Sequence, residues 1–160
     1  MILVDSSVWI NYFNGKNNRT TGLLDGFLDH NIILMADLIL VEVLQGFRSE
    51  RDFKIAKGLL TELEFVELVG YDHGLKSVDN FRRLRKKGVT VRKTIDVIIA
   101  TYCIENDISL LHSDKDFTPF EKLGRRWKLG CRDPVGAVGW GHPSRSASCR
   151  FVPLPCPASP

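Results

Sequence analysis

MILVDSSVWI, residues 1–10, runs four apolar residues into an aspartate, two serines and a second apolar stretch. The first half has the length of a buried strand over 2–5, and the second opens a helix over about 7–14. Asp5 therefore stands where a strand stops. A carboxylate there can cap the helix by accepting from the free N–H groups of its first turn, or it can join other acids at the sheet edge. LLHSDKDF at 110–117 has the same layout, a strand-like run that ends in Asp114 and Asp116. If the two strands are parallel, their carboxylates meet at one edge, and open α/β sheets bind ligands outside the carboxyl ends of their strands.

The rest of the chain predicts that parallel arrangement. Up to about Gly124, short β-branched apolar runs alternate with longer helical patterns, the pattern of βαβ units. Strands are expected at 2–5, 31–34 (NIIL), 65–68 (FVEL) and 109–112 (SLLH). Helices are expected at about 7–14, 20–29, 37–48, 51–62, 72–87 and 94–106, with a short one near 117–123. Gly70 separates a strand from its following helix, and Gly88 is placed to end that helix. GRRWKL, at 124–129, reads as a last edge strand. The fold class is α/β, with a central parallel sheet.

At 160 residues, 44% hydrophobic and 26% charged, the chain is expected to form one domain with a core of its own. No stretch approaches the roughly 18–20 apolar residues of a membrane span. MILV is too short for a secretory h-region and follows no basic residues, so a cytoplasmic location is expected. Cys103 lies in an apolar helical run and reads as a buried small hydrophobe. Cys131, Cys149 and Cys156 fit no zinc or disulfide spacing.

From residue 128 the character changes. This segment holds six of the seven prolines and no helix or strand periodicity, so 1–127 is read as the folded domain and 128–160 as a disordered Pro/Ser/Arg-rich tail. Its composition resembles out-of-frame translation of a GC-rich gene. Lys128, Arg132, Arg145 and Arg150 against Asp133 account for the whole net charge of +3. The domain itself is neutral, and any grip on nucleic acid must come from a local patch.

Two further acids, and the spacing of a third, bear on the edge. Glu42 interrupts the apolar helix DLILVEVLQGF, beside Leu38 and Ile39. In TIDVIIATYCI, Asp96 shares a helix face with Ile99, Ala100 and Cys103, near a helix start that Thr94 would cap. Asp116 follows Asp114 by two. Carboxylates gathered in one cleft repel one another unless a cation pairs with them. All-oxygen ligands select a hard ion, Mg²⁺ or Mn²⁺, and the chemistry such a site supports is phosphoryl transfer with a metal-activated water.

MILVDSSVWI, the helix with Glu42, RKTIDVIIATYC and LLHSDKDF together resemble the PIN-domain ribonucleases, in particular VapC-type toxins of bacterial toxin–antitoxin pairs. The resemblance spans residues 1 to about 124. It implies a three-layer α/β/α sandwich and a Mg²⁺- or Mn²⁺-dependent endoribonuclease that cleaves structured RNA such as tRNA or rRNA. It also implies homodimers and a cognate antitoxin whose C-terminal segment occludes the cleft. By position, Asp5, Glu42, Asp96 and Asp114 match the family's acidic quartet, with Asp116 and Ser6 at assisting positions. In that scheme Asp5, Asp96, Asp114 and Asp116 hold the metal, and Glu42 orients water or a second ion.

FRRLRKKGVTVRKT places Arg82, Arg83, Arg85, Lys86, Lys87, Arg92 and Lys93 just before Asp96. It reads either as a solvated helix face, with Leu75, Val78, Phe81 and Leu84 inward, or as an RNA rim of Arg82, Arg85, Lys86, Arg92 and Lys93. Trp9, Tyr12 and Phe13 read as core or dimer packing. His112 has no partner in sequence that would make it a general base. Two rivals remain: a receiver-like domain with a phospho-acceptor aspartate, which would want a lysine at a late strand end, and a decayed PIN-like module that binds RNA or antitoxin without cleavage.

Overall fold

The computed structural model describes residues 1–30 and 33–123. In chain order it contains β1 (Ile2–Val4), α1 (Ser6–Phe13), α2 (Arg19–Leu28), β2 (Ile33–Ala36), α3 (Asp37–Leu44) and α4 (Glu50–Leu60). β3 (Glu64–Val66), α5 (Tyr71–Lys86), α6 (Thr94–Asn106), β4 (Ser109–Leu111) and a 3₁₀ segment (Lys115–Lys122) follow. The four strands form one parallel sheet in the order β3-β2-β1-β4. The first two crossovers step in one direction along the sheet, and the third returns across it to the far edge. Right-handed connections then put α1–α4 on one face and α5–α6 on the other. The packing agrees: α1 lies on α2 and α3, α3 on α4, and α5 on α6.

Strand residues Leu3, Val4, Leu34, Met35, Leu110 and Leu111 are buried between these layers, as expected for a parallel sheet covered on both faces. Trp9 is fully buried, stacks on Phe13 at 6.0 Å, and Phe13 meets Phe47 edge-on at 5.4 Å. The first helix therefore uses its aromatics as core, while Tyr12 turns outward and donates to Asp25 Oδ1 at 3.0 Å. Cys103 is buried, and burial holds its thiol well above the usual range, so it is a packing residue and not a nucleophile.

Three expectations need correction. β2 runs past NIIL through Met35 and Ala36, since both extend the apolar run, and it stops at Asp37, the polar residue that opens α3. Thr94 does not cap α6; Lys93 occupies the cap position and makes no side-chain cap bond. On α5, Leu75 and Val78 are about half exposed, not inward. The inward row is Ser77, Asn80 and Leu84, and the cause is polar pairing with α6. Asn80 Nδ2 donates to Thr101 Oγ1 at 3.2 Å, both side chains buried. Apolar periodicity misses a helix face that is satisfied by hydrogen bonds. α5 ends as expected at Gly88, whose φ of +75° lets the Val89 N–H reach back to Leu84 O. The expected strand at 124–129 and the tail lie outside the described residues.

Candidate metal centre at the carboxyl edge of the sheet

β1 and β4 are neighbours in register, Val4 opposite Leu111, and the ladder continues one step as the Asp5 N–H donates to Leu111 O at 2.9 Å. The two acid-bearing strand ends therefore sit side by side. Asp5 does both things its position allows. It caps α1, accepting the Ser7 N–H at 2.9 Å and the Ser7 hydroxyl on the same Oδ2, and its charge is felt at Asp96 and Lys93. Ser7 Oγ also accepts the Ser113 N–H at 3.2 Å, tying the β1 end to the β4 end. Ser7, not the Ser6 at an assisting position in the family resemblance, makes these bonds. The second serine of the DSS triplet, at the usual offset for an aspartate cap, was the available signal.

Asp96 stands in the first turn of α6 and is 4% exposed. Asp114 caps the 3₁₀ segment, accepting the Asp116 N–H on Oδ1 at 3.0 Å. One oxygen from each of Asp96, Asp114 and Asp116 falls within 4.8 Å of the others. Asp5 adjoins this set without belonging to it, and Glu42, half-buried on α3, is not part of it. Of the acids singled out by sequence, three therefore converge, and Asp5 acts on them from the end of β1. His112 is buried against the Phe117 ring at 4.9 Å.

The electrostatics follow from the crowding. Burial, and then the charges of Asp5, Asp114 and Asp116, push the Asp96 carboxyl up to about 7, with Lys93 opposing. Asp114 is held below the ordinary range by the Asp116 N–H and by Lys93, whose Nζ donates to Asp114 Oδ2 at 3.0 Å. The same bond, with the neighbouring carboxylates, raises the Lys93 ammonium. Asp96 Oδ2 is buried with no hydrogen-bond partner. A buried, unpartnered carboxylate oxygen among two more carboxylates fits an oxygen-coordinated divalent cation, and the donor set excludes a soft-metal site.

Of the basic run, Arg82, Arg85, Lys86 and Arg92 are exposed along the end of α5 and the loop before α6. Lys93 is engaged by Asp114.

Comparison with known proteins accords with this arrangement. Residues 2–123 match the PIN domain, and the chain belongs to the PIN domain family. Among curated proteins it is similar to the VapC ribonuclease Mb1587 of Mycobacterium bovis and to ribonuclease VapC11 of Mycobacterium tuberculosis. Each is 26% identical over 125 residues, covering 77% of this chain and 93% of the relative. Among solved structures it resembles VapBC2 from Rickettsia felis bound to a promoter DNA fragment, with a TM-score of 0.62 and 18% identity over 81% of this chain and 97% of that one. It also resembles Mycobacterium tuberculosis VapC20, described as a sarcin–ricin loop cleaving toxin, at TM-score 0.57 and 16% identity over 74% and 93%. The receiver-like alternative falls with these matches, and the resemblance read from the sequence stands.

Proposed function

We propose that the chain is a VapC-type endoribonuclease toxin that cleaves structured RNA with a divalent ion, Mg²⁺ or Mn²⁺, and is neutralised by a cognate antitoxin. The observation that carries this reading is the convergence of Asp96, Asp114 and Asp116, with Asp96 Oδ2 buried and unpartnered. Those three would hold the ion, backed by Asp5, and Glu42 would act from outside the set through water. When bound, the ion supplies charge neutralisation at a scissile phosphate and activates water. The chain's own contribution is positional: Ser7 locks Asp5, and the Asp116 N–H locks Asp114. Arg85, Lys86 and Arg92 would draw phosphates toward the edge in a salt-dependent way.

RNA as substrate is supported by the ribonuclease names of the curated relatives, and a structured target by the loop-cleaving neighbour. An antitoxin partner is supported by the toxin–antitoxin complexes among the structural neighbours. Purified protein incubated with total tRNA and rRNA should cleave in Mg²⁺ or Mn²⁺ and stop when EDTA is added. Cleavage that survives chelation would remove the metal from the scheme, and tight RNA binding without cleavage would favour the decayed-module reading.

The proposed homodimer has a suitable face. Tyr71, Leu75 and Val78 form an exposed row on α5 at helical spacing, and Arg82 continues it. Asp72 lies in the first turn of the helix, while Arg83, Arg85 and Lys86 lie in the last. Antiparallel pairing with the same helix of a second copy would bury the apolar row and set acidic against basic ends. Arg82 would then lie over the other copy's Tyr71, which assigns it to this face more readily than to RNA. Light scattering should find wild type dimeric and Leu75→Glu monomeric with an unchanged circular dichroism spectrum; a variant that stays dimeric would place the interface elsewhere.

A further inference from the structure

Lys93 precedes α6 in extended conformation, and its ammonium reaches into the acidic edge. Asp114 is held through both oxygens: Oδ1 by the fixed Asp116 N–H and Oδ2 by Lys93, each at 3.0 Å. Beside it Asp96 Oδ2 is buried and has no partner. The cluster thus holds one oxygen without a partner and one occupied by the chain's own cation. A dication that takes Asp114 through Oδ2 must share that oxygen with the ammonium or drive it off. Sharing sets like charges at contact distance, so the ammonium leaves.

Resting on the reading of this cluster as a divalent-cation site, we propose that Lys93 is a tethered competitor for that site. It neutralises Asp114 while the carboxylates are metal-free, and it is displaced as the ion binds. The pair suits such an exchange. Lys93 is 58% exposed and Asp114 27%, and a solvated pair of this kind is weak enough to yield. Residue type matters as well. Lysine offers one compact charge on a flexible stem, whereas an arginine fork would grip the same carboxylate in bidentate fashion and yield less readily.

The proposal therefore predicts an order of metal affinity, with Lys93→Met tightest, wild type next and Lys93→Arg weakest. It is tested by titrating the purified full chain with Mn²⁺ at low ionic strength and measuring free ion by electron paramagnetic resonance. Lys93→Met should lower the Kd about three- to tenfold, and added salt should shrink the difference. In EDTA the same variant should melt at a lower temperature than wild type, since Asp5, Asp96 and Asp114 lose a counter-charge, and Mn²⁺ should raise its Tm by more. Equal Kd values for wild type and Lys93→Met would overturn the competitor role while leaving the metal site intact. Weaker binding by Lys93→Met would make Lys93 a support of the site and also overturn the proposal. Absence of Mn²⁺ binding in all three proteins would overturn the metal site itself.

Discussion

Asp96→Asn should lower metal-dependent RNA cleavage by at least about 100-fold, on the scale seen when one group that stabilises developing charge is removed. The substitution keeps the size and shape of the side chain and removes its charge. Asp96 is buried in the first turn of α6 beside Asp114 and Asp116, and its Oδ2 has no hydrogen-bond partner. An asparagine there supplies one neutral oxygen in place of a carboxylate, so the set around the ion loses a charge at its buried end. The fold should survive: in EDTA near pH 8 the variant should melt higher than wild type, because a charge that is costly to bury is gone. Together the two readouts separate function from folding. Equal cleavage by both proteins would show that chemistry occurs elsewhere.

The second large effect is on stability against pH. The Asp96 carboxyl is pushed up to about 7 in the folded chain from an ordinary value of 3.8. A carboxyl raised on folding binds more protons in the native state than in the unfolded one. Its contribution is therefore fully present below about pH 4 and is lost as pH rises through about 7. At about 1.4 kcal/mol per unit, the loss across that window is up to about 4 kcal/mol. Asp114 is shifted the other way, so its contribution is lost only as pH falls below the ordinary carboxylate range. Thermal melts in EDTA should then show Tm declining from pH 5 to 8, with the decline flattened by saturating Mg²⁺ and by Asp96→Asn. A flat wild-type profile in EDTA would mean that Asp96 is solvated in solution.

What the sequence made legible depended on where packing follows periodicity. The strands ending in Asp5 and Asp114 could be read because a buried parallel strand is a short continuous apolar run, and parallel order brings their ends to one edge. Asp96 could be read because the rest of its helix face is apolar. The orientation of α5 was illegible, since its buried row includes Ser77 and Asn80, which hydrophobicity assigns to solvent. Glu42 shows a different limit: spacing shows that an acid interrupts an apolar helix, whereas the three-carboxylate set forms without it. Lys93 likewise reads as one more cation in a basic run, and only the fold brings it to Asp114.

The strand order also has a consequence for synthesis. β1 leaves the ribosome first, yet one of its two neighbours, β4, is encoded more than a hundred residues later. Long-range pairing of this kind is late and slow to form. A nascent chain has Asp5 from the start but cannot assemble the acidic pocket until Asp114 and Asp116 have emerged. The acidic pocket is thus completed only when almost the whole domain has been translated.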